Sequence, residues 1–149
     1  MPAFISIGRF LFCVLFVFSG ATKLLDLAAT TQIAQQVAVP AMVSSYTARL
    51  EGYAGMPFPQ ILALAAGIIQ VLCGILIALN FGARFFSLIL IVYLGAVIFF
   101  YHDFWNRSGA EASHQLLLAL TDLALIGGLL VIAGIGRGPR VVEAAYTDV

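Results

Sequence analysis

Four polar side chains within or beside long apolar segments could act together on a small molecule: Ser19, Lys23, His102 and Asp122. Lys23 follows Ser19 by one helical turn, so the two would share a helix face. An ammonium, an imidazole and a carboxylate together can bind the carbonyl oxygen of a quinone-like ligand and exchange its protons. These residues therefore form the candidate ligand-binding pocket of the sequence.

The same residues also have a structural interpretation. Lys23 can extend its ammonium group to lipid headgroups, and Asp122 can form a hydrogen bond between two helices. Both interpretations stay open at the level of sequence, because a shared depth in a membrane does not show that side chains face one another.

The composition places the chain in a lipid bilayer. Apolar residues make up 62% of its 149 residues and charged residues 9%, whereas soluble domains average about 45–50% and 25%. Seven basic and seven acidic residues give a formal net charge of zero. So few charges would not keep a soluble surface dispersed in water. The composition argues against a soluble enzyme, a disordered chain and a nucleic-acid-binding protein.

Four apolar segments are long enough to cross the hydrocarbon core, which takes about 20 helical residues. Their approximate ranges are 4–25, 58–79, 83–101 and 115–135. They are continuously apolar rather than alternating, so membrane-spanning strands are not expected. The sequence predicts an all-α membrane protein, a single domain of residues 1–149 built as a bundle of four transmembrane helices.

An outer loop, residues 26–57, joins the first two spans and is too long for a simple connector. Asp26 can cap a helix that continues until Pro40. This segment has few large apolar side chains, which favours a short helix lying along the membrane interface rather than crossing it. A second short helix could follow within residues 41–53.

The topology of four spans brings the polar residues to similar depths. The first span runs outward and the fourth runs inward, so Ser19, Lys23 and Asp122 are expected in the outer half of the bundle. His102 ends the third span on the same side.

Other polar and small residues in the spans have structural interpretations. Arg9 can extend to the cytoplasmic surface, or it can pair inside the bundle. Gln70, near the middle of the second span, is expected to form an interhelical hydrogen bond. Gly127 and Gly128 permit close approach of another helix.

The sequence lacks the motifs of common catalytic sites, including P-loops, dinucleotide-binding glycines, and zinc-protease or serine-hydrolase motifs. Its two histidines, His102 and His114, could supply ligands to one haem at the outer helix ends. This signal is weak, so neither an intrinsic cofactor nor a metal site is predicted. Whether the chain is an enzyme stays open.

Five short motifs occur in order along the chain. They lie near residues 8–24, 28–40, 74–84, 102–105 and 122–128. Several of the residues that form them are Arg9, Gly20, Arg84, Asp103, Trp105, Gly127 and Gly128. Together the motifs resemble those of the DoxX family of small four-span bacterial membrane proteins. The chain departs from the family pattern at Gln70, where many members carry Glu, and at Asp122, where many carry Asn.

The resemblance implies membrane redox biology rather than a defined reaction. Some family members are associated with quinone-linked sulfur oxidation, and others with membrane anchors of oxidoreductase complexes. In one hypothesis the chain is an accessory or scaffold subunit of a larger membrane redox complex, which the long outer loop and lack of cofactor ligands favour. In the other it binds a quinone or small thiol compound in the outer-half pocket, as an oxidoreductase or transporter subunit.

Both hypotheses predict the same partners and the same cellular location. Membrane lipids and other membrane subunits are the expected partners, and nucleic acid is not. The expected location is the bacterial inner membrane.

We expect both termini to lie in the cytoplasm and Trp105 to lie at the outer interface. The even number of spans places Arg84, Arg137 and Arg140 on the side of the termini, and basic residues favour the cytoplasmic side. Single-cysteine accessibility labelling in intact cells checks this topology. Labelling of a C-terminal cysteine from outside the cell would contradict it.

Overall fold

The fold consists of helices throughout the part of the chain that the structure describes. The computed structural model describes residues 2–35, 44–102 and 108–135. The helices are α1 (Pro2–Leu25), α2 (Leu27–Ala34), α3 (Ser44–Ala54), α4 (Phe58–Ala78), α5 (Ala83–Phe100) and α6 (Gly109–Ile135). Four of them, α1, α4, α5 and α6, are long and apolar enough to span a membrane. This confirms the predicted all-α membrane bundle.

The long helices pack as antiparallel neighbours. Arg9, near the start of α1, donates from Nη1 to Oδ1 of Asn80, just beyond the end of α4, at 2.8 Å. Arg84, at the start of α5, donates from Nε to the carbonyl oxygen of Ala133, near the end of α6, at 3.0 Å. These bonds mark the end of the bundle that holds the α4–α5 turn, called the turn end below. The opposite end carries α2 and α3 and is called the loop end.

A tight turn at residues 79–82 joins α4 to α5. Asn80 and Gly82 have φ angles of 59° and 58°, in the left-handed region that asparagine and glycine adopt most readily. The short turn reverses the chain and sends α5 back along α4.

Side-chain caps fix where two helices begin. Asp26 accepts at Oδ1 from the backbone N–H of Ala29 at 3.1 Å, which caps α2. Glu51 of α3 accepts at Oε1 from the backbone N–H of Phe58 at 2.7 Å, which caps α4. Both α2 and α3 pack against α4. The short helix expected after the first span is therefore present as α2, and it covers the loop end of the bundle.

Glycines allow α1 and α4 to approach closely. A side-chain carbon added at Gly20 would meet the carbonyl oxygen of Gly67 at 2.8 Å and Cγ2 of Val71 at 2.8 Å. One added at Gly74 would meet Cγ2 of Val17 at 2.9 Å. Lipid tails are as apolar as leucine, so close packing of this kind is what drives helix pairing in a membrane.

The packed core lies toward the turn end of the bundle. It consists of Cys13, Phe16, Cys73, Ile77, Ala83, Leu90, Leu94 and Leu129. Between α1 and α6, a side-chain carbon at Gly128 would meet the ring of Phe12 at 2.6 Å, whereas one at Gly127 would meet nothing within 4 Å. Gly128, rather than its neighbour, therefore leaves room for the ring of Phe12 between α1 and α6.

The last helix begins earlier than the sequence predicts. It starts at Gly109 rather than near Gln115, because its first turns are helical but too polar to be recognised by hydropathy. Two of the motif residues, Asp103 and Trp105, lie outside the described residues.

Replacing Gly20 with alanine is expected to destabilise the protein by about 1–3 kcal/mol, the usual cost of overpacking. The added methyl group would collide with the carbonyl oxygen of Gly67. That atom belongs to the backbone of α4, so relief of the collision requires a shift of the helix. Gly127→Ala is the matched control, because its methyl group meets open space and alanine favours helix by about 1 kcal/mol. Thermal melting of both variants in one detergent checks this prediction. Equal melting temperatures would contradict it.

Candidate functional site

A cavity of about 840 Å³ lies between the long helices toward the loop end, with α2 at its edge. Its walls are mostly apolar. The polar side chains that line it are Ser19, Thr22, Lys23, Asp26, Thr30, Gln70, Tyr93, Tyr101 and Asp122. The volume falls within the roughly 300–1,000 Å³ of small-molecule sites. Three lining residues, Leu15, Ile33 and Phe100, are also exposed on the outer surface of the bundle, so the cavity reaches the lipid-facing side.

Lys23 is held by the preceding turn of α1. Its Nζ donates to Oγ of Ser19 at 2.8 Å and to the carbonyl oxygen of Ser19 at 3.4 Å. An ammonium group has three N–H donors, so these bonds leave one for a ligand. Ser19 and Lys23 are one helical turn apart, as the sequence predicts, and their hydrogen bond holds the ammonium group of Lys23 at the cavity wall.

His102 bridges the end of α5 and the part of α6 nearest the loop end. Its Nδ1 lies 2.9 Å from Oε1 of Gln115, and its Nε2 lies 3.2 Å from Oδ2 of Asp122. The histidine is 8% exposed. Two side chains of α6 therefore fix both nitrogens of the ring.

The bonds of His102 define how the pair with Asp122 holds a proton. With Oε1 of Gln115 as acceptor, Nδ1 carries a hydrogen. A neutral imidazole then has an unprotonated Nε2, which accepts from a protonated Asp122. The alternative is an imidazolium ion facing a carboxylate. In either form the pair shares one proton between Nε2 and Oδ2.

The structure separates the four predicted pocket residues by role. Ser19, Lys23 and Asp122 line the cavity, whereas His102 contacts Asp122 from beyond the cavity wall. Lys23 and Asp122 lie on the wall of the same cavity, on α1 and α6. The cavity wall thus carries a basic group, Lys23, and an acidic group, Asp122. His102, which does not line the cavity, is the hydrogen-bond partner of Asp122.

Gln70 is the residue whose role the sequence interpretation missed. It lines the cavity, is 4% exposed, and its Oε1 has no hydrogen-bond partner among the described residues. Its Cβ lies beside Gly20, where α1 and α4 touch. The sequence predicts an interhelical hydrogen bond from Gln70; within the described part of the chain, its Oε1 does not accept one. In the sequence, the feature that could have indicated this position is an amide side chain in the middle of an apolar span.

Two tyrosines add hydroxyl groups to the cavity wall. Tyr93 lies on α5, and Tyr101 follows the end of that helix. A phenol is protonated at neutral pH and can donate a hydrogen bond, and burial raises the pKa of Tyr101 further above that range. Hydropathy does not reveal that either tyrosine lines a cavity, because tyrosine is common at membrane interfaces whether or not a cavity is present.

Comparison with known proteins identifies the family. The chain matches the family model described as DoxX over residues 4–103. It belongs to the DoxX family. Inner membrane protein YphA of Escherichia coli K12 is 24% identical over 137 residues, which cover 92% of this chain and 86% of that protein. No solved structure matches the chain. With the four spans, these similarities support a multi-pass protein of the bacterial inner membrane.

The family match covers α1 to α5 and stops before α6. In this DoxX protein, Arg9 and Arg84 form hydrogen bonds between the ends of different helices. Gly20 lies at the contact between α1 and α4. Asp122 lies beyond the matched residues, so its place in the site rests on the structure of this chain.

Asp122→Asn is expected to be more stable than Asp122→Leu. Asparagine can keep a hydrogen bond to Nε2 of His102, whereas leucine leaves that nitrogen unpaired. The difference should be about 0.6–2 kcal/mol, the range for polar interactions between membrane helices. Thermal melting of the two variants beside the parent protein checks this. An Asp122→Leu protein as stable as the parent would remove the structural role of the pair.

Proposed function

We propose that this DoxX protein binds a membrane quinone in the cavity and serves as an accessory subunit of a quinone-linked redox system in the inner membrane. The cavity supports this proposal because it is mostly apolar and reaches the lipid-facing side, where quinones dissolve. Lys23, Gln70 and Asp122 supply polar groups on its wall from three different helices. A small thiol compound would leave most of the 840 Å³ unfilled, so a quinone suits the space better.

The observation that carries the proposal is the buried Oε1 of Gln70, which has no hydrogen-bond partner in the part of the chain that the structure describes. A buried acceptor without a hydrogen bond costs about 1–3 kcal/mol. Oε1 has almost no accessible surface, so a quinol hydroxyl would remove this cost by donating to it once the amide turns toward the cavity. The ammonium group of Lys23 can instead donate to a carbonyl oxygen of the oxidised quinone. The cavity wall therefore offers a partner to each redox form of the ligand.

The Asp122–His102 pair supports a role in proton exchange. Reduction of a quinone to a quinol takes up two electrons and two protons. Asp122 lines the cavity, and His102 follows α5 at the loop end, so the pair can pass a proton between the ligand and the surface of that end. In an accessory role the electrons come from a partner redox subunit, and this chain supplies the ligand site and the proton path.

A scaffold role without a bound ligand is the second candidate, and α3 favours it. Tyr46, Leu50 and Tyr53 recur at helical spacing along α3 and are exposed, Tyr53 at 92%. α3 is too short to span the membrane. Tyrosine is enriched at protein interfaces, so this row would suit contact with another membrane subunit.

Purification in a mild detergent, followed by organic extraction and chromatography, separates the two candidates. Under the quinone proposal, the purified protein carries quinone in stoichiometric amount. Co-purification of a partner subunit without any quinone would favour the scaffold role and contradict quinone binding.

Gln70→Leu is expected to weaken quinone binding about tenfold, the value of one hydrogen bond. The melting temperature of the ligand-free protein should not fall, because leucine replaces a group without a partner at Oε1. Titration of the purified protein with a short-chain quinone measures the affinity. Thr121→Val is the matched control, because the hydroxyl of Thr121 donates to the carbonyl oxygen of Leu117 and does not line the cavity. Unchanged affinity in Gln70→Leu would contradict the proposed contact.

A further inference from the structure

A second concavity lies at the turn end, in the groove between α1 and α6. Its volume is about 290 Å³, and it is referred to below as the α1–α6 groove. It is lined by Ile5, Gly8, Arg9, Phe12, Gly128, Val131, Ile132 and Ile135. Three of these, Ile5, Val131 and Ile135, are exposed on the outer surface. The groove is therefore apolar and open to the surrounding lipid.

The groove is open at Gly8, which has no side chain. A side-chain carbon added there would meet nothing within 4 Å. Gly8 is thus not required for helix packing, in contrast to Gly128 on the facing helix, where an added carbon meets Phe12.

Arg9 is the only charged residue that lines this groove within the described part of the chain. Its Nη1 donates to Oδ1 of Asn80, whereas its Nε is buried and has no hydrogen-bond partner among the described residues. A guanidinium group carries five N–H donors and keeps its charge in proteins. One neutral amide oxygen uses one donor and leaves the charge unbalanced. An anion with several acceptor oxygens would match this group.

The charges of the described residues are segregated along the bundle. The acidic side chains there lie toward the loop end: Asp26, Glu51, Glu111 and Asp122. At the turn end, Arg84 donates to the carbonyl oxygen of Ala133, on the same turn of α6 as Ile132 and Ile135 of the groove. That contact again supplies a neutral oxygen. Within the described chain, the turn end therefore carries arginines without a carboxylate.

We propose that the α1–α6 groove binds one anionic phospholipid, with an acyl chain along the apolar walls and the phosphate group on Arg9. The groove is apolar apart from Arg9, which lies between Gly8 and Phe12 on its α1 wall, so it is complementary to such a lipid in polarity and in charge. Basic sites between membrane helices are known to select anionic headgroups. A free phosphate would leave the groove empty, and a zwitterionic lipid would bring its own cation to Arg9.

Thermal melting of the delipidated protein in detergent tests the proposal with phosphatidylglycerol, phosphatidylcholine of the same acyl chains, and inorganic phosphate. Phosphatidylglycerol should bind about fivefold more tightly than phosphatidylcholine, as expected for one arginine near a headgroup. It should raise the melting temperature at correspondingly lower concentration, and inorganic phosphate should have no effect. Equal effects of the two lipids, or an equal effect of inorganic phosphate, would overturn the proposal.

Two variants locate the site. Gly8→Leu fills the groove without a clash and should abolish the preference for phosphatidylglycerol. Gly95→Leu is its matched control, since an added carbon at Gly95 of α5 also meets nothing within 4 Å but lies away from the groove. Arg9→Gln should equalise the two lipids. A Gly8→Leu protein that keeps the full preference would overturn the assignment to this groove.

A measurement on the unaltered protein keeps the test decisive if a variant does not fold. Phosphatidylglycerol with a photoreactive acyl chain should crosslink to residues 5–12 and 128–135. Crosslinks confined to other surfaces would overturn the proposal. Displacement of the lipid by a co-purified protein would identify the groove as a protein interface and would also overturn it.

Discussion

The contact between α1 and α4 is the constraint on which the rest of this structure depends. The two backbones touch at Gly20 because neither it nor Gly67 has a side chain. Ser19 and Lys23 flank Gly20 on α1 and line the cavity, and Gln70 of α4 lies against the same glycine. The packing that holds the bundle together therefore also positions the polar groups of the cavity. A change in the separation of these helices would alter the fold and the site together.

The cost of polar groups in a membrane explains most of the remaining contacts. Within the spans, polar side chains bond to a neighbouring helix or to their own preceding turn. Among the described residues, the buried side-chain atoms without a partner are Nε of Arg9, Oε1 of Gln70 and Oγ of Ser87. Gln70 lines the cavity and Arg9 lines the α1–α6 groove, whereas Ser87 is enclosed by the packed helices. Two of these three groups in the described chain thus belong to residues that line a concave surface, where a ligand could supply further bonds.

Depth could be predicted from the sequence, but the direction in which a helix faces could not. Ser19, Lys23 and Asp122 were expected in one half of the bundle because the number of spans fixes their depth, and all three line one cavity. Gln70 was assigned to helix packing, because a uniformly apolar helix does not reveal which face meets a cavity. The bond from Arg9 to Asn80 spans 71 positions of the sequence. It depends on the turn that brings the end of α4 back to the start of α1.

The two ends of the bundle differ in how they balance charge, and this difference argues for two kinds of ligand. At the loop end, Oδ2 of Asp122 lies 3.2 Å from Nε2 of His102, and Lys23 lines the same cavity as Asp122, so a shared proton and groups of opposite charge occur together there. At the turn end, Arg9 and Arg84 bond to neutral oxygens. A neutral oxygen satisfies an N–H donor but does not offset a positive charge in a medium of low dielectric constant. A balanced cavity suits a neutral ligand that gains or loses protons together with electrons. Within the described residues neither arginine meets a carboxylate. The phosphate of the proposed lipid would supply an anion at Arg9.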